Sequence, residues 1–251
     1  MSVTPRLSWL VAALVALTAL SACKTPRSVQ ELSDEVIVGN VRTIAFYREY
    51  DPGVEHAMTR WDKPITIAYV GEITERQRKE LDNHLAELAH LSGRDFVHVA
   101  PDQADVVAFL APDAFERVLD TYRDDYRRFF RSDDAMEDVT REMAGETLCF
   151  GRIITNTRSG SLEQAMVVIP TEIDRFLVRS CIIEELTQVM GPVNDSDDIK
   201  PSIFNDSSGN LLLSDHDRLI IRILYDDRLQ AGMTWDQAEP IVRQIVADLR
   251  H

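Results

Sequence analysis

The sequence predicts an α+β fold in which one mixed sheet is backed by helices, and three observations support this. Short segments rich in β-branched and apolar residues occur at 64–71, 96–99, 104–111, 147–154 and 164–170. Between and after them, apolar residues recur at helical spacing behind capping residues. No internal repeat or low-complexity segment is present. A single layered domain therefore accounts for the pattern.

The composition is that of a globular protein with an acidic surface. Of the 251 residues, 45% are hydrophobic and 27% are charged, and the formal net charge is -15. Nonspecific binding to nucleic acid or to anionic lipid needs an excess of Lys and Arg. The sequence therefore predicts no nucleic-acid partner.

The first residues predict an export signal that is not part of the fold. Arg6 precedes the apolar run "LSWLVAALVALTAL", which is too short to span a bilayer well. The run ends in "LSAC", which resembles the bacterial lipobox. That resemblance implies cleavage before Cys23 and lipid attachment to it; the alternative is an ordinary signal peptide with a chance cysteine.

This interpretation divides the chain into three parts. Residues 1–22 are the lipoprotein signal peptide, and residues 23–60 are a lipid-anchored segment, part tether and part packed on the domain. Residues 61–251 form the domain. Lys24, rather than Asp, follows the lipidated position, which favours the outer membrane and a periplasm-facing domain.

The first helix of the domain follows the strand at 64–71. Thr74 and Gln77 have the spacing of a capping box. Leucines at helical spacing run from Leu81 to Leu91, and Gly93 suits the position just after the last turn. Strands at 96–99 and 104–111 come next.

A charged helical segment at 113–144 separates these strands from a predicted hairpin. Its aromatic residues Tyr122, Tyr126, Phe129 and Phe130 predict one face that packs on the domain. The strands at 147–154 and 164–170 follow, and the polar loop between them is typical of a hairpin.

The next helix is predicted to be central. Thr171 and Asp174 form its predicted capping pair, and it runs to about Met190. Apolar residues surround nearly its whole circumference, as in a buried helix. Gly191 and the proline after it end the helix.

Two capped helices complete the chain. Ser214 with Asp217 begins one, and Thr234 with Gln237 begins the other, which covers about 235–249. The sequence Asp215-His216-Asp217 places negative charge at a helix N-terminus, where the helix dipole favours it. A serine hydrolase built on these residues lacks the G-x-S-x-G turn.

The central helix carries an ordered set of polar residues: Glu184, Glu185, Gln188, Gly191 and Asn194. Their spacing resembles H-E-x-x-H-x-x-G-x-x-H, the zinc motif of the metzincin proteases. In that comparison Glu184, Gln188 and Asn194 occupy the metal-ligand positions. Glu185 occupies the general-base position, and Gly191 keeps the turn.

The surrounding segments agree with this frame from about residue 60 to residue 230. The order of strands and helices resembles a zincin, which implies a five-stranded mixed sheet backed by helices. "PSIFND" resembles the Met-turn segment, with Phe204 at the Met position. Within bacteria the chain is similar to the family of domain of unknown function 2927, whose members are often lipoproteins.

The residues at the ligand positions argue against zinc. Zinc sites favour His and Cys, whereas Gln188 and Asn194 offer only neutral amide oxygens. Without a metal, Glu185 has no activated water to deprotonate. The sequence therefore predicts a degenerate metzincin, a pseudoprotease without a cofactor, in which Glu185 is catalytic only if a metal is bound.

Other interpretations of the same residues stay open. Glu184, Gln188 and Asn194 can form a hydrogen-bonded network where a metal once lay. A Ca²⁺ site can be drawn from Glu184 and the acids at 195, 197 and 198. An acid/base pair of Glu184 and Glu185 has poor geometry, because helix neighbours point about 100° apart.

Two cysteines remain after Cys23, and they have two interpretations. In the oxidising periplasm Cys149 and Cys181 can form a disulfide, or they can be two buried free thiols. The zincin resemblance implies the disulfide, because it places the start of the edge strand near the central helix.

The predicted function is that of an envelope lipoprotein that holds a peptide or protein partner without cleaving it. The edge strand at 147–154 would accept an extended chain by β-augmentation. One alternative is a periplasmic hydrolase or peptidase with an unconventional metal site. Another is a purely structural envelope protein.

Overall fold

The fold was described from a computed structural model that covers residues 29–49, 51–146, 148–205 and 211–250. The strands are β1 (Ile65–Gly71), β2 (Phe96–His98), β3 (Val106–Ala111), β4 (Phe150–Thr155) and β5 (Leu162–Pro170). The helices are α1 (Asp34–Phe46), α2 (Glu75–Ser92), α3 (Ala114–Asp120), α4 (Arg123–Arg127), α5 (Asp133–Glu146), α6 (Arg175–Gln188), α7 (Asp215–Leu224) and α8 (Trp235–Arg250). Within these ranges, no helix is both long enough and apolar enough to cross a membrane.

The five strands form one mixed sheet in the order β2-β1-β3-β5-β4. Four strands are parallel, and β4 pairs antiparallel with β5 at one edge. In the described part of the chain, β4 has no strand on its other side. The predicted mixed sheet backed by helices is confirmed.

Alternating side chains of the sheet feed two apolar layers. On β3, Val106 and Ala108 belong to a core shared with α1, α2, α6, α7 and α8. Val107 and Phe109 face the other way, into a core shared with α3, α4 and α5. The central helix α6 thus lies on the first face of the sheet.

Helix α1 has no counterpart among the predicted elements. Its N-cap is Ser33, whose side chain accepts a hydrogen bond from the Val36 backbone. Ile37, Val41 and Ile44 are fully buried in the larger core. This helix packs chiefly on α8, so it belongs to the part of the 23–60 segment that packs on the domain. Residues 1–28, with the predicted signal peptide and Cys23, lie outside the described residues.

The predicted start of α6 at Thr171 was wrong. The N-cap is Asp174, whose side chain accepts a hydrogen bond from the Phe176 backbone. The Thr171 backbone instead donates to Ala111 O, and so continues the pairing of β5 with β3. By contrast, the capping boxes at Thr74–Gln77 and Ser214–Asp217 are both present.

The charged segment at 113–144 forms three helices rather than one continuous pattern. The predicted aromatic face is nonetheless packed on the sheet. The rings of Tyr126 and Phe129 meet Phe109 edge to face, at centroid distances of 5.4 and 6.4 Å. Phe130 is also buried.

Cys149 and Cys181 form the predicted disulfide. Strand β4 begins at Phe150, three residues later than predicted, and Cys149 directly precedes it. Cys181 lies in the middle of α6. The bond brings their Cα atoms to 5.9 Å. It therefore joins the edge strand to the central helix.

We expect Cys149→Ser combined with Cys181→Ser to lower the free energy of unfolding by about 3 kcal/mol, because the bridge closes a loop of the unfolded chain. Urea unfolding with and without a thiol reductant measures this. Reductant should destabilise the unmodified protein to the level of the double variant and leave that variant unchanged. Two reactive thiols in denatured, unreduced protein would contradict the bridge.

Candidate functional site

The candidate site begins where α6 passes beneath β4. Gly151 of β4 lies so close to α6 that an added Cβ would be 2.9 Å from Glu185 Oε2 and 3.2 Å from Val189 Cγ1. Glu185 is only 5% exposed. The carboxylate at the general-base position of the motif therefore lies under the backbone of the edge strand.

The contact follows from the spacing of both elements. Cys181, Glu185 and Val189 are each four residues apart and so share one side of the helix. Cys149 and Gly151 are two residues apart and so share one face of the strand. The disulfide and the Gly151 contact thus hold β4 against α6 at two successive points. Glu184 faces another direction and is half-buried.

Gln188, at the second ligand position, is bonded to a residue that sequence analysis did not place there. Its Nε2 donates to both carboxylate oxygens of Asp195, at 3.0 and 2.9 Å. Both side chains are half-buried. A hydrogen bond to a charged acceptor is stronger than one between neutral groups. This pair therefore fixes the loop after α6 against the last turn of the helix.

Asn194, at the third ligand position, is directed toward α1. Its Nδ2 donates to Thr43 O at 3.0 Å and to Asp195 O at 3.2 Å. Its backbone N–H donates to Ile44 O at 3.2 Å. The Thr43 and Ile44 carbonyls lie in the last turn of α1, where backbone carbonyls lack helical partners. Asn194 therefore caps α1, and its amide joins Gln188 only through Asp195.

These side chains do not make a zinc site. In the described ranges, no group of three or more His, Cys, Asp or Glu residues is placed to hold a metal ion. The acids proposed for Ca²⁺, Glu184, Asp195, Asp197 and Asp198, are thus not gathered into one site. Amide side chains are poor zinc ligands, so the donors at the motif positions do not fit that metal.

The end of α6 is held from outside the motif. Gly191 has φ of 125°, and an added Cβ would be 2.1 Å from Thr59 O. The Trp61 indole donates to Val189 O at 2.9 Å, and the Tyr225 hydroxyl donates to Met190 O at 2.7 Å. Burial raises the pKa of Tyr225 and keeps this hydroxyl a donor. The glycine turn thus serves close backbone packing.

Phe204, at the Met-turn position, is completely buried. Its carbonyl accepts a hydrogen bond from Ser196 N at 2.7 Å, next to Asp195. The turn itself is held by Asp217, which accepts from Ser202 Oγ at 2.6 Å and from Ile203 N at 3.1 Å. Burial raises the pKa of the Asp217 carboxyl, and the hydrogen bonds it accepts from Ser202, Ser214 and Ile203 oppose that rise. The turn therefore supports the loop that carries Asp195.

Two buried histidines lie near these elements, and both are structural. His84 Nε2 is 3.0 Å from Thr187 Oγ1 of α6, and His216 Nε2 is 3.2 Å from Asn40 Nδ2 of α1. Burial lowers the pKa of each to about 4. Both are therefore neutral at neutral pH and link helices.

Sequence reasoning missed Gly151, Trp61 and Tyr225, and it named Asp195 as a Ca²⁺ ligand rather than as the partner of Gln188. For Gly151 a signal exists, because a glycine inside a strand marks a close approach of another element. The other three act through the path of the chain after α6 and before β1. No local sequence pattern predicts such contacts.

Comparison with known protein families identifies the family of the chain. The model of a family described as "Protein of unknown function (DUF2927)" matches residues 35–244, from the start of α1 into α8. No curated protein matches the sequence.

We expect Gly191→Ala to destabilise the protein by more than about 3 kcal/mol, because the new methyl group meets Thr59 O and φ is unfavourable for alanine. Gly39→Ala is the matched control, since nothing lies within 4 Å of its added Cβ. In the interior of α1 it should stabilise by about 0.5–1 kcal/mol. Urea unfolding of both variants measures the difference. Equal stability of the two would contradict the packing at Gly191.

Proposed function

Since this chain belongs to the DUF2927 family of proteins of unknown function, we propose that it is a degenerate, zincin-like binding domain. It holds an extended peptide or protein segment against β4 and does not cleave it. The observation that carries the proposal is the open edge of β4, fastened over α6 by the disulfide and by the Gly151–Glu185 contact.

An open strand edge is a binding element of general use. Its unpaired N–H and C=O groups give main-chain hydrogen bonds to an added strand. Fixing β4 to α6 lowers the conformational entropy lost on binding, because the edge is already ordered. An antiparallel strand laid on β4 would extend the sheet from five strands to six.

The proposal that the domain does not cleave its partner is supported by the structural roles of the motif residues. Gln188 holds Asp195, and Asn194 caps α1. Glu185 as a general base requires a metal-bound water, and the residues around it do not supply zinc ligands. Its burial beneath Gly151 further restricts access of a scissile bond.

The proposed setting is the periplasmic face of the bacterial outer membrane, with attachment through lipid on Cys23. The lipobox-like "LSAC" and the following Lys24 support this proposal. Ten residues separate Cys23 from α1 at Asp34, and because Val29 and Leu32 already pack on the core, fewer than ten of them form the tether. A tether of that length holds the domain close to the membrane surface.

A second candidate function is a hydrolase or peptidase with an unconventional metal site. It is favoured by one observation, the retention of a buried carboxylate at the general-base position of the motif. A metal would have to be held by Glu184 with groups from outside the motif.

We expect the protein purified without chelator to contain no stoichiometric zinc, because Gln188 and Asn194 offer only weak amide donors. Metal analysis by mass spectrometry tests this, with Glu184→Ala and Glu185→Gln as comparison variants. Stoichiometric zinc that is lost in Glu184→Ala would overturn the non-catalytic proposal in favour of the hydrolase.

We expect a bound extended peptide to slow hydrogen exchange at the backbone amides of β4, because their outward N–H groups become paired. Strand β2 at the opposite edge of the sheet is the internal control and should not change. Hydrogen-exchange mass spectrometry with periplasmic peptides of about eight residues measures both. Saturable binding without protection of β4 would exclude β-augmentation.

A further inference from the structure

The surface beside the start of β4 exposes both apolar and cationic side chains. Leu148, Phe176 and Leu177 are 42%, 48% and 44% exposed. Arg175 and Arg179 are exposed on the same turns of α6. We call these five residues the Leu–Arg patch.

The disulfide brings the two parts of the patch together. Leu148 directly precedes Cys149, and Leu177 lies one helical turn before Cys181, which is bonded to Cys149. The Arg175 guanidinium lies 4.5 Å from the centre of the Phe176 ring, within the range of a cation–π contact. The disulfide therefore holds Leu148 near the first turns of α6, which carry the other four residues of the patch.

The patch is locally positive on an acidic protein. Residues 175–183 of α6 contain two arginines and no carboxylate, whereas the whole chain has a net charge of -15. In the part of the chain that the structure describes, Arg175 and Arg179 make no ion pair. The cationic side chains are thus available to an anionic partner.

Local stability alone does not explain this composition. Positive charge at a helix N-terminus is opposed by the helix dipole, and only Asp174 offsets it there. Leu148, Phe176 and Leu177 leave more than two fifths of their surface in contact with water in the isolated protein, and that exposed part adds nothing to its stability. Departures from local rules concentrate at functional surfaces.

The polarity of a bound strand follows from two contacts. Cys149 meets Cys181, and two residues later Gly151 meets Glu185, so β4 and α6 run in the same direction. An antiparallel strand on β4 would therefore end over the Leu–Arg patch. Its earlier residues would approach the last turn of α6, where Gln188 binds Asp195 of the following loop.

We infer that the open edge selects an extended segment whose C-terminal part combines carboxylate and apolar side chains. The carboxylates pair with Arg175 and Arg179, and the apolar side chains cover Leu148, Phe176 and Leu177. This inference rests on the proposed function and adds the chemical class of its partner.

Anionic lipid offers the same combination of negative charge and apolar surface, but two observations favour the peptide. The patch adjoins an open strand edge, which a lipid surface does not use. A net charge of -15 repels an anionic membrane as a whole, whereas a short peptide meets only the local arginines.

The test uses three labelled peptides of about eight residues, each with a neutral β-forming N-terminal half. In the first peptide the C-terminal half combines Glu with Leu and Phe. In the second peptide Lys replaces Glu, and the third peptide carries the first sequence reversed. We expect the first to bind best by fluorescence anisotropy, and to lose about tenfold in affinity with Arg175→Glu/Arg179→Glu.

The charge-reversed variant should in turn gain affinity for the Lys peptide. Arg76→Glu/Arg222→Glu is the matched control, because it makes the same change in net charge at exposed positions on α2 and α7 and should leave all three affinities unchanged. This control separates local pairing from the overall field of the protein.

The outcomes distinguish this inference from the function on which it rests. If the Glu and Lys peptides bind equally and both protect β4 from exchange, the charge preference is wrong and β-augmentation stands. If no peptide protects β4, both fail. Binding of phosphatidylglycerol vesicles that Arg175→Glu/Arg179→Glu abolishes, without peptide binding, would assign the patch to a membrane and overturn the inference.

Discussion

The attachment of the edge strand β4 to the central helix α6 is the constraint on which the candidate site depends. A disulfide joins Cys149 to Cys181, and one step further along both elements Gly151 packs on Glu185. Among the described residues, strand β4 has sheet hydrogen bonds on one side only, so its order rests heavily on these contacts. These contacts hold the open edge of β4 over the turn of α6 that carries Glu185, and they bury the Glu185 carboxylate. They also place Leu148 near the other residues of the Leu–Arg patch.

The motif keeps its frame while its polar residues serve the structure. Gln188 and Asp195 tie the loop after α6 to its last turn, and Asn194 ends α1. Gly191 remains necessary because the backbone at Thr59 lies against it. The frame of a motif is therefore weaker evidence for chemistry than its ligands are.

Sequence alone could predict the elements whose signals are local. Both predicted capping boxes formed, since their hydrogen bonds lie within four residues. The start of α6 was misplaced because Thr171 is still engaged by β3, a partner about sixty residues away in the chain. Helix α1 was missed because its short apolar stripe is interrupted by Gly39 and Asn40. The role of Asp195 depends on the path of a loop, which no periodicity encodes.

The pairing of α1 with α8 sets the order in which the chain can be completed. The Phe46 and Trp235 rings meet at 5.1 Å, and Arg250 forms an ion pair with Asp34, so the first and last helices described are neighbours. During synthesis from the N-terminus, α1 emerges early and α8 follows only after the sheet and the other described helices. The face of α1 that packs on α8 then stays without cover until nearly the whole described domain has been made, so the α1–α8 contacts form late in folding.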